Sequence, residues 1–223
     1  MPRWATFDCY GTLIDWNLGL GSALERLWPK EDVGWLLSRY HQIEPVVQRA
    51  GPTASYRAVM ARCLRALADE NGLVLGAGDA DSLARSLPDW RAFREVPATL
   101  TELRARGWKL AILSNIDSDL LEASLKHLAV PFDERVAASE IGSYKPAHAH
   151  WREFARRTAA RAEEHVHVGA SLYHDIAPAT ELGLRTVWIN RLEESAGGGI
   201  VPTRELQDLN GLPGALDALI GPP

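Results

Sequence analysis

The chain has 223 residues, a formal net charge of −5 and only two cysteines, Cys9 and Cys63. That length buries the core of one substantial α/β unit with a smaller insertion, so no disulfide scaffold is required. The acidic balance argues against a protein whose main partner is nucleic acid, and with no run of membrane-spanning length and no apolar leader after Met1-Pro2-Arg3, a reducing cytoplasm is the expected compartment.

In chain order, Trp4 to Phe7 is a short apolar strand, followed at once by Asp8-Cys9-Tyr10-Gly11-Thr12-Leu13. The Gly11-Thr12 turn leaves Asp8 at the carboxyl end of the strand, where open parallel sheets carry their chemistry. A carboxylate there either attacks an electrophile or caps its own turn. Between Asp15 and about Val96 the strand signal disappears, and apolar residues recur at helical spacing over Gly19 to Trp28, Trp35 to Ala50, Ser55 to Asn71 and Asp81 to Leu87. This stretch reads as an inserted helical cap.

Strands resume at Lys109 to Leu113, Arg135 to Ala138, His165 to Val168 and Thr186 to Ile189, separated by helical segments long enough for parallel crossovers. The expected fold is α/β, a Rossmann-like doubly wound parallel sheet. After the second strand, Leu113-Ser114-Asn115 offers a hydroxyl and an amide, which serve either an anion or a plain turn. Tyr144-Lys145-Pro146 places a lysine just ahead of a helix that Pro146 would open. Val168 to Asp175 follows another strand, and Asp175 reads equally as a helix N-cap or as the orienting partner of Lys145. Arg152, Arg156, Arg157 and Arg161 read as a solvated helix face. From Ser195 through Gly197-Gly198-Gly199 the tail reads as a mobile loop before a last helix near Gly214 to Leu219.

Asp8-x-Tyr10-Gly11-Thr12, Leu113-Ser114-Asn115, Tyr144-Lys145-Pro146 and the segment Gly169 to Asp175 together resemble, in order and spacing, the four motifs of the haloacid dehalogenase superfamily. The resemblance covers nearly the whole chain and implies a core of residues 1–14 and 96–223 with a helical cap over residues 15–95. It implies Asp8 as nucleophile, Thr12 and Ser114 holding its carboxylate or the substrate's anion, and Lys145 with Asp175 completing a charged network. Phosphatases of the superfamily carry a second aspartate two residues after the nucleophile and another, for magnesium, in the fourth motif; this chain has Tyr10 and Ala170 there.

Both differences resemble the 2-haloacid dehalogenases, which have a tyrosine at that place and need no metal, so no cofactor is expected. Ser38-Arg39-Tyr40-His41-Gln42 supplies an arginine at the spacing those enzymes use for halide and carboxylate, whereas His41 and Glu44 read as ordinary helix residues. Tyr10, Arg39, Asn115 and Trp151, the last standing where those enzymes have a tyrosine, are the expected substrate contacts. Leu172 replaces an asparagine of their hydrolytic step and Ala170 a serine.

The leading expectation is hydrolytic dehalogenation of a small 2-haloalkanoic acid, with a homodimer as the expected assembly. The alternatives are a magnesium-dependent phosphatase of a small phosphorylated metabolite and a catalytically reduced ligand-binding protein.

Overall fold

The computed structural model describes residues 2–51, 54–197 and 199–221. Strands β1 (Arg3–Phe7), β2 (Trp108–Ser114), β3 (Glu134–Ala137), β4 (His165–Gly169), β5 (Arg185–Ile189) and β6 (Arg204–Leu206) form one sheet. All pairings are parallel, in the order β3-β2-β1-β4-β5-β6. The chain leaves β1 on one side for β2 and β3, and on the other for β4, β5 and β6. A crevice therefore opens at the carboxyl ends of β1 and β4, where the winding reverses.

The sheet is covered on both faces, which is why its central strands β1 and β4 are buried at every position, their polar residues Thr6, His165 and His167 included. Ala5, Phe7, Leu110, Ile112, Val166 and Val168 enter one core layer with Val96, Leu100 and Leu103 of α5 (Val96–Ala105) and Leu212 and Leu216 of α10 (Leu212–Leu219). Trp4, Ala111 and Leu113 face the opposite way. There they meet Trp151 and Phe154 of α8 (Ala149–Thr158) and Ala179 of α9 (Ala177–Glu181). Two short helices, α6 (Ser118–Ser124) and α7 (Ala138–Ile141), follow β2 and β3.

Between β1 and α5 lie α1 (Trp16–Leu27), α2 (Val33–Ala50), α3 (Tyr56–Asn71) and α4 (Ser82–Ser86). Asp15, Asp32 and Ser55 cap the first three, each accepting a backbone N–H from the first turn. The insertion is tied to the sheet through α3. Asp117, just beyond β2, accepts the Tyr56 and Arg57 N–H groups at 2.9 and 3.0 Å, and Tyr144 Oη donates to the Ala54 carbonyl at 2.6 Å. No helix among the described residues is long and apolar enough to cross a membrane.

Two sequence expectations change here. Pro146 does not open a helix: residues 145–148 form a turn and α8 starts at Ala149. In the tail, β6 interrupts the expected loop, pairing Arg204 to Leu206 with Val187 to Ile189. Two of its residues are exposed and one half-buried, so this edge strand lacked the apolar pattern that marks the other five. Gly198 lies outside the described residues.

Within α1, Gly19 faces the ring of Trp90 so closely that a Cβ would fall 2.3 Å from it. Trp90 cannot retreat, being 4% exposed, edge-on to Trp16 at 5.0 Å and bonded through Nε1 to Ser86 Oγ. Alanine would add about 1 kcal/mol of helix propensity but overpack the site by about 1–3 kcal/mol. Gly19→Ala should therefore lower the urea unfolding midpoint, and an unchanged or raised midpoint would refute this packing.

Candidate active site

The turn after β1 positions the reactive carboxylate. Asp8 N–H still donates to the Val168 carbonyl at 2.9 Å, in line with the sheet, and Gly11 then takes φ +94°, which a side chain would resist. Thr12 lies under Asp8. Its hydroxyl accepts the Ala170 N–H at 2.9 Å, and so directs its own proton to Asp8 Oδ2, also at 2.9 Å.

Lys145 lies between two carboxylates. Its Nζ is 2.8 Å from Asp8 Oδ1, 2.7 Å from Asp175 Oδ1 and 2.8 Å from the Leu113 carbonyl, so its three donors are all used. Asn115 holds the lysine backbone by a reciprocal pair, accepting Lys145 N–H at 2.6 Å and donating to Lys145 O at 3.0 Å. Its side-chain amide thus positions Lys145, and Asn115 also lines the cavity, where it was expected as a substrate contact.

Asp175 sits in a widened helical turn, Leu172–Ile176, and Ser171 rather than Asp175 is the capping residue. Gly169 admits it: a Cβ there would be 2.5 Å from the Asp175 Cβ. Beneath Asp175, His167 Nε2 approaches Oδ1 at 3.5 Å, while Thr6 Oγ1 joins His167 Nδ1 at 2.8 Å to His165 Nε2 at 2.6 Å.

These contacts separate the two acids. Burial raises the Asp8 pKa to about 6 against the opposing pull of Lys145, with the Asp175 charge adding to the rise. Burial opposes ionisation of Asp175 too, but Lys145 and His167 outweigh it and hold its pKa well below the usual carboxylate range. For Lys145, burial is likewise overcome by the two carboxylates, which keep it protonated. At neutral pH the group is two carboxylates around one ammonium, and Asp8 is the most exposed of the three to the cavity, its side chain 13% exposed against 1% for Lys145 and for Asp175.

That cavity, of about 940 Å³, lies between the carboxyl ends of the strands and the helical insertion. Asp8, Tyr10, Ser114, Asn115, Lys145 and Asp175 all line it. Ser114 is buried, and no protein group bonds its hydroxyl among the described residues. Tyr10 borders the cavity, but its hydroxyl is committed to Ser124 Oγ at 2.8 Å and burial pushes its pKa well up, so it is no ready acid.

Two expected contacts are not brought to the cavity. Trp151 packs in the core layer behind the sheet, edge-on to the His167 ring at 5.0 Å. Arg39 pairs with Glu70 of α3 at 2.8 Å and also bonds Gln42. The reason is helical geometry: Leu36, Tyr40 and Ile43 are the buried stripe of α2, and Arg39 flanks it on the side away from the cavity.

On the other flank His41, Glu44 and Gln48 line the cavity, although His41 and Glu44 carried no expected role. His174 and Arg191 also line it. His174 Nδ1 lies 3.2 Å from Ser171 Oγ, and burial lowers its pKa, leaving a neutral imidazole at neutral pH. Arg191 pairs with Glu95 at 2.7 Å, donates to the Thr12 carbonyl and stacks on Phe93 at 3.5 Å.

The donor set does not fit magnesium. Asp8 and Asp175 present oxygens already bonded to Lys145, Thr12 and the Ser171 N–H, and position 170 contributes a methyl group where a hard cation would need oxygen.

Residues 2–183 match the family model of haloacid dehalogenase-like hydrolases. The chain belongs to that family. It is 26% identical over 224 residues to (S)-2-haloacid dehalogenase 1 of Pseudomonas sp. (strain CBS-3), covering 95% of each chain. The crystal structure of an L-2-haloacid dehalogenase superimposes with a TM-score of 0.87 and 26% identity, over 97% of this chain and 99% of that one. Phosphatases are also similar over part of the length: ribulose-1,5-bisphosphate 5-phosphatase of Halopiger xanaduensis is 36% identical over 124 residues, 52% of either chain. The protein is thus an enzyme of the hydrolase type, with its chemistry-bearing motifs converging on one cavity.

If Asp175 and burial together raise Asp8, removing the Asp175 charge should lower it. Titration of carbon-13-labelled aspartate by NMR should give an Asp8 carboxyl midpoint near 6 in the parent protein. In Asp175→Asn the midpoint should move down, because a like charge is gone and Lys145 pairs with Asp8 alone. An upward shift would contradict this reading.

Proposed function

We propose that the protein hydrolyses 2-haloalkanoic acids through an ester formed on Asp8. The observation that carries this reading is the Asp8 carboxylate bordering the cavity, held by Lys145 and Thr12, with the Tyr10 hydroxyl two residues on committed to Ser124 rather than free to protonate a leaving group. A halide needs no such acid, because it departs as a stable anion. The names of the full-length relatives support the same substrate class.

In the first step an Asp8 oxygen attacks C2 with inversion, the carbon–halogen bond breaks and the halide takes the electron pair. Lys145 stays charged throughout, so the negative charge leaving Asp8 does not strand its partner: Asp175 continues to neutralise it. In the second step water adds to the Asp8 carbonyl carbon, the ester C–O bond breaks and a 2-hydroxy acid leaves. One proton of the water is taken by a neutral acceptor on the cavity wall, for which His174, an imidazole that burial keeps neutral, is available, and is passed to the departing C2 oxygen, while the other is released as Asp8 returns to its carboxylate. The free Ser114 hydroxyl is available to the substrate carboxylate. Arg39, paired with Glu70, takes no part in this arrangement.

The second reading, magnesium-dependent hydrolysis of a phosphate ester, is favoured by the phosphatase relatives but opposed by the donor set described above. Halide release from 2-chloropropionate should persist in EDTA and be lost in Asp8→Asn, which keeps the shape of the side chain and removes its nucleophilic charge. In heavy-oxygen water during a single turnover, label should enter the Asp8 carboxylate before it reaches product. Strictly magnesium-dependent phosphate release would replace this proposal with the second reading, and direct labelling of product would remove the covalent step.

A further inference from the structure

The wall that α2 turns to the cavity consists of His41, Glu44, Pro45 and Gln48, a complete i, i+3, i+4, i+7 face. It presents acceptors. Tyr56 Oη and Gln48 Nε2 both donate to Glu44 Oε1, leaving Oε2 with no hydrogen bond among the described residues. The donors of the same wall are already engaged: the Tyr56 hydroxyl on Glu44, and His41 Nε2 at 2.9 Å from Asn17 Oδ1.

The charge of the cavity points the same way. Asp8, Asp15, Glu44, Asp175 and Glu194 give its lining five carboxyl groups. Its two permanent cations, Lys145 and Arg191, are already paired, the first with Asp8 and Asp175 and the second with Glu95. No cation pairs with Glu44 among the described residues, and burial raises its pKa to about 7 against the bonds from Tyr56 and Gln48. The volume of about 940 Å³ is at the upper end of the range of roughly 300–1,000 Å³ typical of drug-sized ligands, and leaves space beyond a haloacid of two or three carbons.

We infer that Glu44 forms a subsite for a protonated amine at the far end of the substrate, so that the preferred substrate is an aliphatic zwitterion with its reacting carbon at Asp8. Glu44 is then a specificity-determining residue, and the inference rests on the dehalogenase reading for the identity of the reacting end. An ammonium would supply the hydrogen bond that Oε2 lacks, and would partly offset the negative lining.

The test compares ω-amino-2-chloroalkanoates of increasing chain length with methyl-ended and hydroxyl-ended counterparts, followed by halide release. The best amino compound should exceed its methyl-ended counterpart in kcat/KM by about tenfold or more, the size expected of one charge-assisted hydrogen bond out of water. In Glu44→Gln that ratio should fall to within about twofold. Glu44→Ala, which removes the carboxyl group altogether, should lower it likewise and serves if Glu44→Gln does not fold. Calorimetric binding of the corresponding ω-amino-2-hydroxy acids and their methyl-ended counterparts should show the same preference and the same loss. Equal efficiencies in the parent protein, a stronger preference for the hydroxyl-ended compound, or an amine preference that survives both substitutions would overturn the subsite while leaving the dehalogenase reading intact. Halide release from none of the compounds would overturn the dehalogenase reading, and the calorimetry would then decide the subsite by itself.

Discussion

A single ammonium placed between two carboxylates sets the terms for everything around it. Lys145 Nζ contacts Asp8 and Asp175 at 2.8 and 2.7 Å, and all three groups are almost wholly removed from water. Each carboxylate destabilises the charge of the other, and the lysine stabilises both. The balance is broken by the surroundings: Asp175 has the Ser171 N–H and His167 on its far side, whereas Asp8 has Thr12 and then the open cavity. Asp175 is therefore the anchor and Asp8 the reactive member. Several features otherwise without purpose follow from this requirement. The Asn115 clasp fixes the lysine backbone, the missing side chain at Gly169 lets Asp175 approach, and the Thr6–His165–His167 chain supports it from within the sheet.

The sheet supplies the convergence. Asp8 follows β1, Ser114 ends β2, Asp175 follows β4 and Arg191 follows β5, so four neighbouring parallel strands deliver their carboxyl ends to one crevice. Parallel pairing makes this automatic, because strands that start together also end together. That regularity is why five of the strands, and the motif residues that follow them, could be read without coordinates. The short edge strand β6 could not, since three residues of mixed polarity carry no periodicity.

Legibility failed where a residue's role depends on the azimuth of a helix rather than on its position after a strand. Arg39 and Glu44 are five residues apart on α2, which on a helix of 3.6 residues per turn sets them roughly 140° apart. The buried stripe Leu36, Tyr40 and Ile43 lies between them, so one faces Glu70 and the other the cavity. A motif spacing counted along the chain cannot distinguish these flanks. The spacing of His41, Glu44, Pro45 and Gln48 could have, since a polar face that includes a helix-interior proline is costly unless something other than solvent lies against it. Trp151 failed for a related reason: α8 turns it toward the core layer of Trp4 and Phe154, and the opposite face of that helix carries the arginines to water.

The same electrostatics constrain the chemistry that this member of the family can perform. With one ammonium already shared between two carboxylates, a dianionic group arriving at Asp8 would meet uncompensated negative charge at a distance where a poorly solvated interior screens it weakly. Family members that process dianions meet this with a cation, and here position 170 is a methyl group and Arg39 is turned to the outside. A monoanion whose charge sits a bond or two from the reacting carbon is less penalised, and a zwitterion less again, because its cationic end can lie against the carboxyl groups of the cap wall. The charge pattern of the cavity thus narrows the substrate from both ends: at Asp8 it disfavours a second negative charge, and at Glu44 it favours a positive one.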